Sequence, residues 1–471
     1  MLYRDFREFL NALEARGLVK RVSAEVDKDW ELGCIMRNII RQPREEDRYG
    51  IIFENVKGYN MPVVVGAYAS RDAYAVGLGV KPEEILEKWA DALDKPVEPV
   101  LVNDGPVKEN ILTGEDADLL KIPIPTWTPG KDGGPYITAG HSVTRDPETG
   151  IRNVGNYRIQ LKGRDKAGIL IVPAQHIGVM YSKYEAANKP MPIAIAIGTI
   201  PSITMTAVTK VPQGVDELKV ASALNNGPIE LAKCETVNLE TPATAEIVLE
   251  GEIPPHERET EGPFGEYTGY MATPGPRPII NVKCITHRNR PMWPAIISQK
   301  PPSESMVLQG IGLEALFYWH LKRKMGYPIV DIHAIQATGL ATVAISFKNS
   351  YPGHAKQLLS SAIAIHPVYV KTVIAVDDDI NVRDPVDLDW AVAYRVQADR
   401  DMDQIPRAPS FPLDPSIGPQ DVPREHKVTG AKLLIDATKK WPYPDVSLPP
   451  KDMLEKVKRT WHRYGLPPLA S

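Results

Sequence analysis

The segment "EGPFGEYTGY", Glu261 to Tyr270, sets two carboxylates five residues apart around a proline and two glycines. A helix turns about 100° per residue, so residues five apart diverge around it. On a flat strand, an odd separation sends them to opposite faces. Pro263 lacks a backbone donor, while Gly262 and Gly265 accept dihedrals that other residues resist. The segment therefore reads as a bend that re-aims its side chains and can bring Glu261 and Glu266 to one cavity. Paired carboxylates in one cavity are the material of general acid–base chemistry. Two exposed loop acids are the competing reading.

Three further polar stretches interrupt apolar surroundings. In "RNVGNYRIQLKG", Asn153, Asn156 and Arg158 break a strand-like run, and Gly155 inside it marks a bulge or a close backbone approach. A solvated strand face is the alternative there. In "VPAQHIGVM", His176 is either a hydrogen-bonded core histidine or a functional one. In "VPQGVDELKVASAL", Glu217 stands at the start of a helix, where the helix dipole alone would favour a carboxylate. Other standard machinery is missing. "GLGVKPEE" has no phosphate-loop lysine pattern, and there is no GxGxxG between a strand and a helix, no GxSxG and no HExxH. "AVDDDINVRD" lacks the glycine and closing glutamate of a calcium loop and reads as a strand end leading into a helix capped near Asp384.

The elements that must position these groups follow from the wider pattern. A chain of 471 residues needs two or three cores, and 43% hydrophobic and 24% charged residues are those of an ordinary globular protein. A net charge of −4 gives no reason to expect nucleic acid or an anionic membrane as partner. Cys34, Cys234 and Cys284 form no CxxC pair, so neither a disulfide framework nor a structural zinc is expected. The opening "MLYRDFREFLNALEARG" is an amphipathic helix stopped by Gly17, and no stretch is apolar and long enough to span a bilayer, so a cytoplasmic location is the expectation. Short strands "GIIFENV" and "MPVVVGAY" and a helix from Pro82 to Leu93 suggest an α/β region over 1–105. Residues 106–303 are strand-rich, with runs such as "YITAGHSVTRD", "VGNYRIQLKG", "PIAIAIG", "AEIVLEGEI", "IINVKCITHR" and "PAIIS", which predicts a barrel-like domain. A connecting helix over 304–325 leads to a second α/β domain over 326–471, ending in the helix "KDMLEKVKRTWHRYG".

Taken together, "NVGNYR", Gln175–His176, Asp216–Glu217 and "EGPFGEYTGY" resemble the UbiD family of decarboxylases, which use prenylated FMN. "PATAEIVLEGEI", "YPGHAKQLL", "AVDDDINVRD" and "LLIDATKKWP" are similar to family text as well, so the resemblance runs along essentially the whole chain. It implies a central split β-barrel that binds the flavin between two α/β regions, the last one supporting a homodimer or homohexamer. It further implies that Asn153, His176 and Glu217 hold Mn²⁺ or Mg²⁺ against the cofactor phosphate, with K⁺ nearby. Oxygen and imidazole donors suit such hard cations. The cofactor would lie along Asn156, Tyr157 and Arg158 and along Val172, Pro173, Ala174, Gln175, His176, Ile177 and Gly178, with Lys432 at the phosphate.

The same resemblance makes Arg158, Glu261 and Glu266 catalytic, with Glu261 paired to the arginine and Glu266 donating the proton. Some members carry aspartate where this chain has Glu266. The implied reaction is reversible non-oxidative decarboxylation of an aromatic (hydroxybenzoate-like or heteroaromatic) or otherwise conjugated acid, releasing CO₂, with a flavin prenyltransferase supplying the cofactor. A flavin-reducing oxidoreductase on a split barrel, or a non-catalytic subunit of a carboxylase complex, are the alternatives. Lys300, in "SQKPPSES", is a solvated loop lysine or meets a second polar group of the substrate.

Overall fold

The computed structural model describes residues 1–212, 214–417 and 429–467. Its mixed α+β architecture is built on three main sheets. The first helix, Phe6–Glu14, starts where Asp5 Oδ1 accepts the Glu8 amide at 2.9 Å and buries Phe6, Phe9, Leu10 and Leu13. Its chain turns away at Gly17, whose φ of +71° is left-handed and favours glycine. The N-terminal sheet runs Val19–Val26, Gly50–Val56, Val63–Val65 and Trp293–Ala295 in that order. The last of these comes from the "PAIIS" region, expected in the barrel. It pairs parallel to Val63–Val65 because that buried strand has a free outer edge whose backbone groups need partners.

The central sheet curls into a split barrel. Its order is Tyr136–Ile137, Ile159–Leu161, Lys166–Ile169, Gly275–His287, Ile247–Ile253, Met191–Ile197, Gly140–Arg145 and Arg152–Asn156. The two runs expected as single strands are each broken. "YITAGHSVTRD" splits at Thr138–Ala139 and "VGNYRIQLKG" at Tyr157–Arg158. In both cases the halves lie at opposite ends of the sheet order, so the chain crosses the barrel seam twice. Asn156 Nδ2 donates to Thr138 O at 2.9 Å and ties the two crossings together. The curl of the sheet thus decides that Arg158 stands at an opening instead of on a strand face.

The C-terminal sheet is ordered Ile329–Ala334, Thr342–Phe347, Thr372–Asp377, Thr429–Ala437 and Met402–Pro409. The helix Pro385–Arg395 that follows "AVDDDINVRD" is capped as its sequence predicts, Asp384 Oδ1 accepting the Val386 amide at 2.9 Å. Between the sheets runs helix Glu304–Tyr318, buried on nearly every side and continued by a π-helical turn over Trp319–Lys324. Buried Glu314 on it meets Arg71 at 2.8 Å from the N-terminal side and Arg383 at 2.9 Å and His333 at 3.0 Å from the C-terminal side. The Arg383 and Arg71 guanidiniums, with the His333 hydrogen bond, hold its carboxyl well below the usual range against the opposing effect of burial.

Glu304, at the start of the same helix, has no cation beside it among the described residues. Its carboxylate accepts the amides of Gly66 at 3.0 Å, Tyr68 at 3.1 Å and Ile297 at 3.2 Å, yet burial pushes it up to about 7. The folded protein therefore keeps a proton here that the unfolded chain releases near its ordinary 4.5. The stability this lends is complete at low pH and is lost as pH rises through about 7, a change on the order of 3 kcal/mol. Denaturant melts of the ligand-free protein at about pH 5 and pH 8 should show that loss in the wild type and its absence in Glu304→Gln. Equal pH dependence in the two proteins would exclude this titration.

Candidate active site

The bend does what its residues require. Strand Arg258–Glu261 ends at Gly262, whose φ of +93° is left-handed, and the Gly262–Pro263 peptide is cis. Phe264–Gly265 then pairs with Met271–Ala272, and the turn between them closes as Glu266 N donates to Tyr270 O at 3.0 Å and Gly269 N to Glu266 O at 2.9 Å. Gln160 clamps the outside, its Oε1 accepting Gly262 N at 3.2 Å and its Nε2 donating to Gly133 O at 2.8 Å. Asp132 Oδ1 accepts Gly265 N at 3.1 Å.

The result is one guanidinium shared by two buried carboxylates. Arg158 donates through Nε to Glu261 Oε1 at 3.0 Å and through Nη2 to Glu261 Oε2 at 2.7 Å, a two-pronged contact that fits a planar fork to a carboxylate. Its Nη1 donates to Glu266 Oε1. Glu261 is 0% exposed and Glu266 8%, so these are not the solvated loop acids of the competing reading. Burial pushes Glu266 up from the usual carboxylate range, overcoming the pull of Arg158, and Glu261 adds to the rise. A carboxyl whose protonated form burial favours, beside an arginine-bound carboxylate, is equipped to donate a proton.

A second group forms on the other side of the Tyr157–Arg158 crossing. Glu217 opens helix Glu217–Leu224, where Asp216 caps the helix through Leu218 N at 2.9 Å and binds Arg152 at 2.8 Å. That ion pair draws the helix start onto strand Arg152–Asn156, so Glu217 Oε2 accepts Val154 N at 2.9 Å. Glu217 Oε1 lies 3.7 Å from His176 Nδ1. Asn153, buried on the same strand, turns its Nδ2 toward Tyr157 Oη at 3.4 Å. His176 begins helix His176–Ala186, and Val172, Pro173, Ala174 and Gln175 form the turn before it, with Gln175 N on Val172 O at 3.0 Å. Gly178 is required here: a Cβ would sit 2.3 Å from Val172 O.

Comparison with known proteins places this geometry. The N-terminal, Rift-related and C-terminal domains of the 3-octaprenyl-4-hydroxybenzoate carboxy-lyase family match residues 10–93, 99–301 and 308–437. The chain belongs to the UbiD family. An uncharacterised protein of Synechocystis sp. is 32% identical over 98% of this chain and 96% of its own length. The UbiD-class enzyme HmfF from Pelotomaculum thermopropionicum, in complex with FMN, is 39% identical with a TM-score of 0.84, covering 95% of this chain and 98% of that one. An evolved dimeric form of HmfF in complex with prFMN is 38% identical with a TM-score of 0.85, over 96% and 98% of the two chains. Vanillic acid decarboxylase from Sedimentibacter hydroxybenzoicus, in a closed form, is 32% identical with a TM-score of 0.85, over 99% and 100%.

The residues of this UbiD chain fit a phosphorylated flavin held through a divalent cation. Asn153, His176 and Glu217 offer an amide oxygen, an imidazole and a carboxylate, a sulfur-free donor set compatible with Mn²⁺ or Mg²⁺. Beside them, the His176–Ala186 helix carries no side-chain cap, so its first-turn amides and dipole favour an anion. Lys432 is less directly placed. It is 2% exposed on strand Thr429–Ala437, and its Nζ donates to Val370 O at 2.8 Å. That bond brings it beside Tyr369, whose phenol neighbours Gln175 and Glu266.

Some members of the UbiD site carry no motif signal. Tyr369 and Phe411 of the C-terminal domain stack at 4.4 Å and pack on Tyr267, next to Glu266, with Phe411 at 5.7 Å and Tyr369 at 6.2 Å. Tyr136 lies against Glu261 at 3.0 Å. Tyr369, Phe411 and Tyr136 all come from segments distant in sequence from the Glu261–Glu266 bend. Lys300 is exposed, and its backbone and stem pack against Gly269 of the Glu266–Tyr270 turn.

Proposed function

We propose that this UbiD-family protein is a prenylated-FMN-dependent enzyme that reversibly decarboxylates an aromatic, hydroxybenzoate-like or heteroaromatic, or otherwise conjugated carboxylic acid. The observation that carries the reading is Arg158 shared between two buried glutamates at the barrel seam, beside the Asn153–His176–Glu217 donor set. The similarity to a vanillic acid decarboxylase and to an enzyme solved with prFMN supports the substrate class and the cofactor. Asn153, His176 and Glu217 would hold Mn²⁺ or Mg²⁺, with K⁺ close by, and the Val172–Gly178 turn, Asn156, Tyr157 and Lys432 would line the flavin. When bound, prenylated FMN supplies the electron sink that loss of CO₂ requires.

The chain's own groups supply position and a proton. Arg158 fixes Glu261 with its fork and holds Glu266 by its remaining arm, so both carboxyls keep one geometry through turnover. Glu266 delivers its proton to the carbon that CO₂ leaves, and in carboxylation it receives that proton back. Tyr267, Tyr369 and Phe411 wall the site against water, which keeps the proton on this path. Among the described residues no helix is long and apolar enough to cross a membrane. We read the protein as a cytoplasmic homo-oligomer, dimer or hexamer.

The test is expression with and without a flavin prenyltransferase, followed by a screen of hydroxybenzoates, heteroaromatic acids and cinnamate-like acids for CO₂ release. Activity is expected only after co-expression. Full activity without the prenyltransferase would overturn the cofactor assignment. NAD(P)H oxidation with no decarboxylation would overturn the reaction.

A further inference from the structure

Two carboxylates and one guanidinium in a dry site carry one negative charge too many unless one proton stays with them. The fork of Arg158 cannot settle where, because it reaches both Glu261 and Glu266. A third side chain breaks the symmetry. Tyr136 is 0% exposed, and its ring is held at 4.3 Å from that of Phe264. Its strand, Tyr136–Ile137, pairs with Ile159–Leu161, the strand that begins immediately after Arg158. The phenol is therefore fixed with respect to the arginine, and its hydroxyl points at Glu261 Oε1 at 3.0 Å, with Pro263 O the more distant acceptor at 3.4 Å. Glu261 thus receives three side-chain donors. Glu266 receives one, Arg158 Nη1, together with the neighbouring amide of Tyr267.

We infer that Tyr136 is a positioning residue that decides which glutamate carries the shared proton, its hydroxyl claiming Glu261 as acceptor and leaving the proton on Glu266. Each hydrogen bond donated to a carboxylate favours its charged form over its protonated form. Tyr136 keeps its own proton, because burial and the adjacent Glu261 both push its phenol up. The other titratable and charged groups facing the pair are Asp132 near Tyr136, Tyr267 and Tyr369 near Glu266, and Lys162, whose stem runs close to Glu261 and whose ammonium is bound to Thr260 O. Among the described residues, only Tyr136 donates a hydroxyl hydrogen bond to Glu261. In turnover the electron pair left by CO₂ takes the Glu266 proton, a C–H bond forms as the O–H bond breaks, and one proton from bulk solvent reprotonates Glu266 after the product has left.

The catalytic consequence rests on the reading of Glu266 as proton donor given above, and the experiment lets the two fail separately. The readout is the infrared band of the buried protonated carboxyl in the ligand-free protein. Spectra are compared in a Glu304→Gln background, which removes the other carboxyl whose protonated form burial favours; a single such band is expected there, and it disappears on adding Glu266→Gln. In Tyr136→Phe, which keeps the ring and its packing, a second band should appear that is abolished by adding Glu261→Gln. The pair's proton should then be lost about one pH unit higher, because Glu261 has become an alternative holder. Turnover should fall on the order of tenfold with the same alkaline displacement, which loss of packing alone does not produce. A single unshifted band in Tyr136→Phe, or a band that survives Glu266→Gln in the Glu304→Gln background, overturns the inference. The expected bands in a protein that decarboxylates no acid would leave it standing and overturn the proposed function instead.

Discussion

Glu266→Gln should reduce decarboxylation by a factor on the order of 10²–10⁴, the usual contribution of a positioned acid or base. Glutamine keeps the length of the side chain and still offers an oxygen to Arg158 Nη1, but it has no proton of carboxylic acidity to give. The turn around it is held by backbone bonds, Glu266 N to Tyr270 O and Gly269 N to Glu266 O, which the substitution does not touch. Flavin content should therefore stay near that of the parent. The measurement is steady-state turnover of an accepted acid together with deuterium exchange from solvent into the product carbon. Both should collapse in the variant. Exchange and turnover at the parent rate would show that the proton comes from another group.

Arg158→Ala should be at least as damaging, and for a different reason. It removes the partner of two buried carboxylates at once, and breaking a buried ion pair by deleting one member costs about 3–5 kcal/mol. The variant should lose turnover and also unfold at clearly lower denaturant concentration, whereas Glu266→Gln should lose turnover with little change in stability. Arg158→Lys should not restore function, since an ammonium is a point charge without the planar fork that spans both oxygens of Glu261. Denaturant melts beside the same turnover assay check both statements. Parent-like stability and turnover in Arg158→Ala would remove Arg158 from the centre of the site.

The lysine-free pairing also sets what kind of change the site tolerates. Glu261 cannot be replaced by an apolar residue without stranding Arg158 in a 7% exposed position, so the fork and its glutamate behave as one unit. Glu266 is less embedded in that unit, which is why its loss is expected to be the cleaner probe of chemistry.

Much of the positioning was legible locally. Asp384 and Gly17 mark a helix start and a helix end through their own side-chain and backbone preferences, and the structure uses them so. Glu217 stands at a helix start, and the Gly262–Pro263–Gly265 spacing is a bend wherever it occurs. These features depend on residues within a few positions of one another, so the sequence alone determines them. The resemblance added the family from motif text spread along the chain, and the three matching domains bear that out.

What the tertiary structure decided is which distant segments meet. "YITAGHSVTRD" and "VGNYRIQLKG" have the alternation of continuous strands, but the closing curl of the sheet breaks both at the seam and so leaves Arg158 between halves. Trp293–Ala295 reads as another barrel strand and instead completes the N-terminal sheet, because an unpaired buried edge there needs its hydrogen bonds. Tyr136 and Tyr369 carry no pattern that distinguishes them from ordinary core aromatics. One touches Glu261 across 125 positions of chain, and the other reaches the surroundings of Glu266 from a different domain. Strand pairing and domain packing minimise the free energy of the whole chain, with contacts between residues far apart in sequence, and no local window of residue types contains that information.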